Sequence, residues 1–305
     1  MTIQRTAVAA LAVLAASATA RPATAQAWAP REREGQVTFV AQTVDHVGRV
    51  FADARIDCCG TTNVALVVDA DYGVSDRWSI SASLPYVFAK YRGGPPEGPA
   101  AFLPYPAVDA CQCVHSAVQD FEFGSHYNLL KVRRTFSLMT SMSVGIPSHK
   151  YDYAGEAVVG FGLKQLELSA DAGGQLDVIV PGLSVDGHYG YAIVERVLGI
   201  THNRANARFN AGYTFSNRLG GHLLLSHQHT YGGLRFPLDI QPFPERYSEF
   251  HRLLRDNYFQ AGAGMSYTWR VWDVSLSFLR TVSGDNTHDV HVYTATAGRS
   301  FHIRR

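Results

Sequence analysis

Along most of the chain polar and apolar residues alternate with a period of two, the signature of a pleated strand rather than a helix. The clearest run is 78–88, where Trp78, Ile80, Ala82, Leu84, Tyr86 and Phe88 share one face and Ser79, Ser81 and Ser83 the other. Residues 135–147 repeat it, with Phe136, Leu138, Met142, Val144 and Ile146 against Ser137, Ser141, Ser143 and Gly145. Residues 206–215 set Phe209, Ala211, Tyr213 and Phe215 against Asn206, Arg208, Asn210 and Thr214. Residues 258–269 set Phe259, Ala261, Ala263, Met265, Tyr267 and Trp269 against Gln260, Gly262, Gly264, Ser266 and Thr268. Softer alternation marks 36–45, 63–72, 120–129, 165–172, 183–194, 219–231, 272–280 and 290–301. Together these predict about twelve strands, each near the length a tilted membrane strand needs.

A soluble sandwich with one wet face would show the same alternation, so the links between strands decide. Long links at 47–62, 89–119, 148–164, 195–205 and 232–257, with a shorter one at 283–289, alternate with tight ones at 73–77, 130–134, 216–218 and 270–271 and a less crisp one at 173–182. Such alternation gathers the tight turns at one end, as in a meander closed into an outer-membrane barrel. In lipid every backbone N–H and C=O must be paired within the protein, which requires the sheet to close on itself. The expected fold is therefore all-β, a closed antiparallel up-and-down transmembrane β-barrel with long extracellular loops and short periplasmic turns. One helix is predicted from Pro244-Glu245 onward, with Tyr247, Phe250, Leu253 and Leu254 at helical spacing and Arg252 and Arg255 late. It lies across the barrel mouth as a lid or covers an outer rim; periodicity does not distinguish the two.

Composition agrees with this picture. Of the 305 residues 46% are hydrophobic and 17% charged, with Tyr (15), Phe (16) and Gly (27) plentiful; soluble domains carry about 25% charge. One apolar run exists, and it reads as a signal peptide: Arg5 ahead of an apolar stretch from Ala7 to Ala18, then Ala23-Thr24-Ala25 as the cleavage site. The run is shorter than the roughly 20 residues of a spanning helix. The expected organisation is thus residues 1–25 as signal peptide and 26–305 as one barrel domain in the bacterial outer membrane. Cleavage removes Arg5 and Arg21 and no acid, leaving 25 basic against 26 acidic residues. That balance excludes a nucleic-acid binder, which carries a basic excess on one face. The last strand, through Tyr293, Ala295, Ala297, Arg299 and Phe301, ends near an aromatic and resembles the signal read by barrel-insertion machinery, although four residues follow Phe301.

Candidate chemistry is sparse. If the serine-rich faces point inward, the lumen holds Asp69, Asp71, Glu122, His126, Glu167, Asp171, Asp186, His188, Arg208 and Arg218. Acids dominate, which suits a cation-leaning or zwitterion-tolerant pore, unless these groups pair off and fill a narrow interior. Cys58, Cys59, Cys111 and Cys113 form two close pairs. In an oxidising compartment they are expected in disulfides, and bridges between the two segments are favoured over adjacent or i,i+2 partners. The alternative is a metal or redox site with His115. His227 and His229 share a strand face with Leu223 and Leu225 and read as outward-facing interface residues. No metal and no cofactor is expected. An enzyme needs a nucleophile and base in reach; Ser148 beside His149 and Ser116 beside His115 fall on opposite faces if extended, so no catalytic residue is assigned.

The segment Tyr72-Gly73-Val74-Ser75-Asp76-Arg77-Trp78-Ser79-Ile80, followed by Leu84-Pro85-Tyr86, resembles the first periplasmic turn and third strand of the bacterial outer-membrane family known as "MetA-pathway of phenol degradation". Members are similar to this chain in having a signal peptide, one barrel and a Gly-rich segment after a strand ending like Gly145-Ile146-Pro147. The resemblance implies a channel for small compounds, apolar or aromatic ones among them, with the links 89–119 and 232–257 constricting its outer mouth. The expected partners are outer-membrane lipids, small solutes and the insertion machinery, with a monomer favoured. The alternatives are a non-conducting scaffold displaying disulfide-bonded loops for adhesion or partner binding, and a lipid-modifying enzyme.

Overall fold

The computed structural model describes residues 30–95, 106–132, 135–150, 154–235, 238–239 and 246–303; the expected signal peptide lies outside them. The elements in chain order are β1 (Glu34–Val50), β2 (Arg55–Gly73), β3 (Trp78–Tyr91), α1 (Ala107–Ala110), β4 (His115–Val118), β5 (Phe121–Val132), β6 (Phe136–Ile146), β7 (Gln165–Gln175), β8 (Leu183–Val194), β9 (His202–Thr214), β10 (Leu219–Gly232), α2 (Tyr247–Leu253), β11 (Asn257–Trp269), β12 (Trp272–Asp285) and β13 (Thr287–His302). Every pairing is antiparallel, each long strand joins the next, and β13 returns to β1 from Glu34↔His302 to Val50↔Thr287. Twelve strands thus close into one barrel, with β4 as a short upper extension.

Three links differ from expectation, the first being 47–62, which shrinks to 51–54 because β1 runs to Val50 and β2 begins at Arg55. Residues 115–118, assigned to a loop, are strand: β4 pairs with Tyr86–Ala89 of β3, while β5 pairs with its lower part, Trp78–Ser83. The predicted link 283–289 shrinks to Asn286, whose φ of 57° turns β12 into β13 in one residue; Asn tolerates this left-handed backbone better than most residues.

Two tight turns at the periplasmic end share one construction. In Ser75-Asp76-Arg77-Trp78 the Ser75 hydroxyl oxygen accepts the N–H of Arg77 and of Trp78 at 3.3 and 3.1 Å. In Ser216-Asn217-Arg218-Leu219 Ser216 does the same for Arg218 and Leu219 at 3.4 and 3.2 Å. Each Arg carbonyl then accepts from the neighbouring strand, Arg77 from Asn128 and Arg218 from Thr268, both at 2.8 Å. A serine that satisfies turn donors locally lets a two-residue excursion end one hairpin and anchor the next.

The two faces are assigned by what crosses the ring. The segment 154–163 meets Arg49 of β1, His288 of β13, Val87 and Ala89 of β3 and Ala192 and Val194 of β8. One segment reaches such widely separated strands only through the interior. The face carrying those residues is therefore inward, and its alternate is outward. Outward residues are Leu66 and Val68 on β2, Ile80 and Leu84 on β3, Leu168 on β7, Leu223 and Leu225 on β10 and Leu276 on β12, all exposed large apolar side chains. A soluble protein does not leave an apolar belt of this extent in water; a membrane barrel requires it.

Candidate functional site in the barrel interior

The strand register places nine expected lumen residues on the inward face. Asp69 and Asp71 lie opposite Ser83 and Ser81, Glu122 opposite Ser83 from the other side, and His126 opposite Ser79 and Ser141. Asp171 faces His188, and His188 faces Arg208. Arg218, included on the same reasoning, instead sits exposed in the periplasmic turn before β10, because strand alternation ends at Phe215.

These side chains form a connected polar arc. The Ser81 hydroxyl lies 2.9 Å from His126 Nε2, and His126 Nδ1 lies 2.8 Å from the Ser141 hydroxyl. Ser141 donates to Asp171 Oδ2 at 3.4 Å, and Asp171 Oδ1 accepts from His188 Nδ1 at 2.8 Å. His188 Nε2 stands 3.5 Å from Glu167, a charge contact rather than a hydrogen bond, and Asn206 donates to the second Glu167 oxygen at 3.2 Å. Asn210 donates to Asp186 at 3.1 Å. The arc crosses β3, β5, β6, β7, β8 and β9, about half the circumference, and pairing of this kind stiffens a polar wall. The remaining wall is mixed: Val40 and Val44 on β1, Val67 on β2, Leu279 on β12 and Val292 on β13 share the inward face with Gln36, Thr38 and Gln42, Asp69 and Asp71, Ser275 and Ser277, and Thr294 and Thr296.

Pairing does not fill the interior. Glu122 and Arg208 point inward by register yet remain exposed. Asp69, Asp71, Glu122 and Arg208 make no ion pair with any described residue. A cavity of about 840 Å³ opens at the periplasmic end, lined by Arg31, Arg77, Lys131 and inward-facing Asn128 among others.

The outer end is different. Segment 154–163 folds into the mouth, and Ala157 and Val159 pack on Val87 and Ala89. Glu156 pairs with Arg49 at 2.7 Å, the two side chains being 15% and 8% exposed, and approaches His288 at 3.4 Å. The His288 ring stacks edge-on against His46 at 4.7 Å. Burial pushes the Glu156 carboxyl up, but Arg49, His251 and His288 outweigh it and hold it well below the usual carboxylate range. Asp109 of α1 braces the segment from outside, accepting the Glu156 N–H with both oxygens and the Ala157 N–H with Oδ1, each at 2.9 Å. Gly155, with φ 135° and Val108 and Asp109 close to where a Cβ would stand, permits that approach.

The predicted helix is α2, and it enters the mouth rather than covering a rim: Leu253 is fully buried and packs with Leu254, Leu234 and Leu163 on inward Ala192 and Val194. Pro244 and Glu245 lie outside the described residues. The chain on either side is tied to the inner rim. His202 Nε2 donates to the Leu254 carbonyl at 2.6 Å, Thr230 to the Asp256 carbonyl at 2.8 Å, Thr287 to the Asp256 carboxylate, and Asn286 to the Leu234 and Arg255 carbonyls at 3.1 and 2.9 Å. The mouth was expected to be narrowed by links 89–119 and 232–257. Both contribute, but the segment inserted between them comes from 148–164, whose one advance signal was its run of glycines.

The cysteines pair differently from expectation. Cys111 is bonded to Cys113 within one segment, not across to Cys58 or Cys59, whose side chains lie outside those described. Gln112, at φ 49°, reverses the chain and brings the two Cα atoms to 5.2 Å, inside the disulfide range. His115 Nε2 stands 3.3 and 3.5 Å from the two sulfurs and 2.8 Å from the Val108 carbonyl. Ser148 and His149 do meet, at 2.8 Å, because the chain bends after β6; the Ser148 hydroxyl donates to the Val118 carbonyl at 2.7 Å, which directs its proton away from the imidazole.

Neither a protein-family model nor a curated protein matches the sequence. Solved structures do resemble the fold. An outer membrane channel from Pseudomonas putida F1 superposes with a TM-score of 0.68 at 11% identity, covering 92% of this chain and 100% of that one. The β domain of the Bordetella autotransporter Brka superposes with a TM-score of 0.51 at 12% identity, covering 88% of this chain and 100% of that one. At such identities the likeness is one of fold. The two neighbours differ in what they are, a channel and an autotransporter domain, so function must be argued from the interior.

Proposed function

We propose that this protein is a monomeric outer-membrane channel for small solutes, with its outer mouth closed in the conformation described. The observation that carries the reading is that Glu122 and Arg208, a third of the circumference apart, face inward and still reach solvent. A filled barrel would bury or pair them. Inward acids (Asp69, Asp71, Glu122, Glu167, Asp171, Asp186 and Asp273) outnumber the inward cations Arg49, Lys131, Arg204 and Arg208, which favours cations. The family resemblance implies small compounds, apolar or aromatic ones among them, as the cargo. The likeness to the Pseudomonas putida channel supports conduction without identifying cargo.

The test is conductance in planar bilayers of the native protein and of a variant lacking 154–163. The expected result is rare, brief openings for the native protein and steady, cation-preferring channels for the deletion. A deletion variant that folds, inserts and stays sealed would refute conduction. It would favour the second reading, a scaffold presenting the interlocked outer links, for which the bracing of 154–163 by α1 is the supporting observation.

A further inference from the structure

The outward face carries a feature that conduction does not use. Directly opposed residues on five consecutive strands, Arg280 on β12, His291 on β13, Asp45 on β1, Thr62 on β2 and Lys90 on β3, form one paired row that climbs around the barrel with the strand tilt. Below it, toward the tight turns, the facing rows turn apolar: Phe278, Tyr293, Thr43, Val64 and Phe88, then Leu276, Ala295, Ala41, Leu66 and Tyr86. At the other edge of this band Arg299 lies over Trp272 at 5.9 Å and Arg270 over Trp269 at 5.6 Å, the cation–aromatic pairing found where a barrel meets headgroups. On β3 the outward run Leu84, Tyr86 and Phe88 ends at Lys90, with Arg92 just beyond, so these two cations stand at the outer edge of the apolar band.

At one end of that row the surface is indented. A groove of about 220 Å³ opens beside Val64, Phe88 and Val114, with Lys90 and Arg92 at its rim. Its floor is apolar, continuous with the band below, and its rim is cationic. Arg92 donates to Thr62 at 2.5 Å and stands 3.7 Å from Asp45, the one acid in the row. Lys90 and Arg280 have no charge partner among the described residues. Lys90, unanswered by a protein carboxylate, and Arg92, held beside the groove by Thr62 and by a long contact to Asp45, leave the rim with a cationic excess that suits an anion from the lipid itself, and the apolar slot beneath them suits an acyl chain.

We propose that this groove is a binding site for a phosphorylated glycolipid of the outer leaflet, one acyl chain lying along Val64, Phe88 and Val114 and a phosphate held by Lys90 and Arg92. The site rests on the outer-membrane reading but not on conduction.

The test uses the mature protein in nanodiscs of neutral phosphatidylcholine, titrated with bisphosphorylated lipid A, dephosphorylated lipid A or phosphatidylglycerol and read by native mass spectrometry. The native protein is expected to retain one bisphosphorylated lipid A in preference to both others. Lys90→Ala should weaken retention about fivefold and the pair Lys90→Ala with Arg92→Ala about twenty-five-fold, one surface cation at a time. Lys90→Arg should restore most of it, Phe88→Ser should weaken it with the charges intact, and Arg270→Ala at the opposite rim should leave it unchanged. Equal retention of the dephosphorylated lipid or of phosphatidylglycerol overturns the proposal. So does a double variant, shown folded by heat-modifiable migration, that retains lipid A as the native protein does.

Discussion

Removing one carboxylate should open the outer mouth. Glu156 is the sole acid on the inserted segment 154–163 and faces Arg49 at 2.7 Å, with 15% and 8% of the two side chains exposed. Breaking a buried ion pair by removing one partner costs about 3–5 kcal/mol. Only the closed mouth suffers this cost, since Arg49 regains water when the segment swings out. The closed-to-open ratio should then fall by between about a hundredfold and several thousandfold in Glu156→Ala. Glu156→Gln, which still accepts a hydrogen bond, should fall between that variant and the native protein. Single-channel recording at neutral pH reads the effect as open probability, and heat-modifiable migration reports that the barrel is intact. If Glu156→Ala remains as quiet as the native protein while the deletion of 154–163 conducts, the ion pair does not hold the segment in place and the reasoning fails.

Three further outcomes follow from the same geometry. His251 is pushed down to about 4 by burial in the closed mouth, and a solvated imidazole titrates near 6.5, so the open state binds the extra proton between those limits. Closure is therefore at full strength above about pH 6.5 and weakens as pH falls toward 4, by roughly 3 kcal/mol at most. Open probability should rise across it, and His251→Gln should flatten the rise; a native protein indifferent to pH there would contradict the assignment. Leu276→Arg, on the outward face at mid-band, should destabilise the barrel in bilayers by about 2–4 kcal/mol, whereas Ser277→Arg, inward, should be tolerated; equal urea midpoints would reverse the face assignment. In a conducting variant, Glu122→Gln with Asp69→Asn should shift the reversal potential in a salt gradient toward anions, and Arg208→Gln toward cations; no shift from either would remove these residues from the conducting path.

The barrel was legible because each strand repeats one message. Trp78 to Phe88 and Tyr258 to Trp269 state inward and outward at every step, and an error at one position is outvoted by its neighbours. Hence nine inward residues could be named from parity alone, while Arg218, just past the last alternating position, could not. The mouth was not legible in this way. Asp109 on a four-residue helix, Glu156 in an irregular segment and Arg49 at a strand end are single residues, brought together by a chain reversal at Gly155 that has no period. The short pairing of β4 was hidden because His115 to Val118 offers two alternations, too few to stand out. The Cys111–Cys113 bond depends on one left-handed residue, Gln112, and spacing alone pointed elsewhere.

The seam between β1 and β13 joins Glu34 to His302, so the first strand made waits for the last before its edge is covered. Until β13 is made, one edge of β1 exposes hydrogen-bonding groups with no strand to satisfy them. Contacts between residues so distant in sequence form slowly. The ring is complete only when the final sixteen-residue strand pairs with β1, and until then that open edge has to be shielded from other chains.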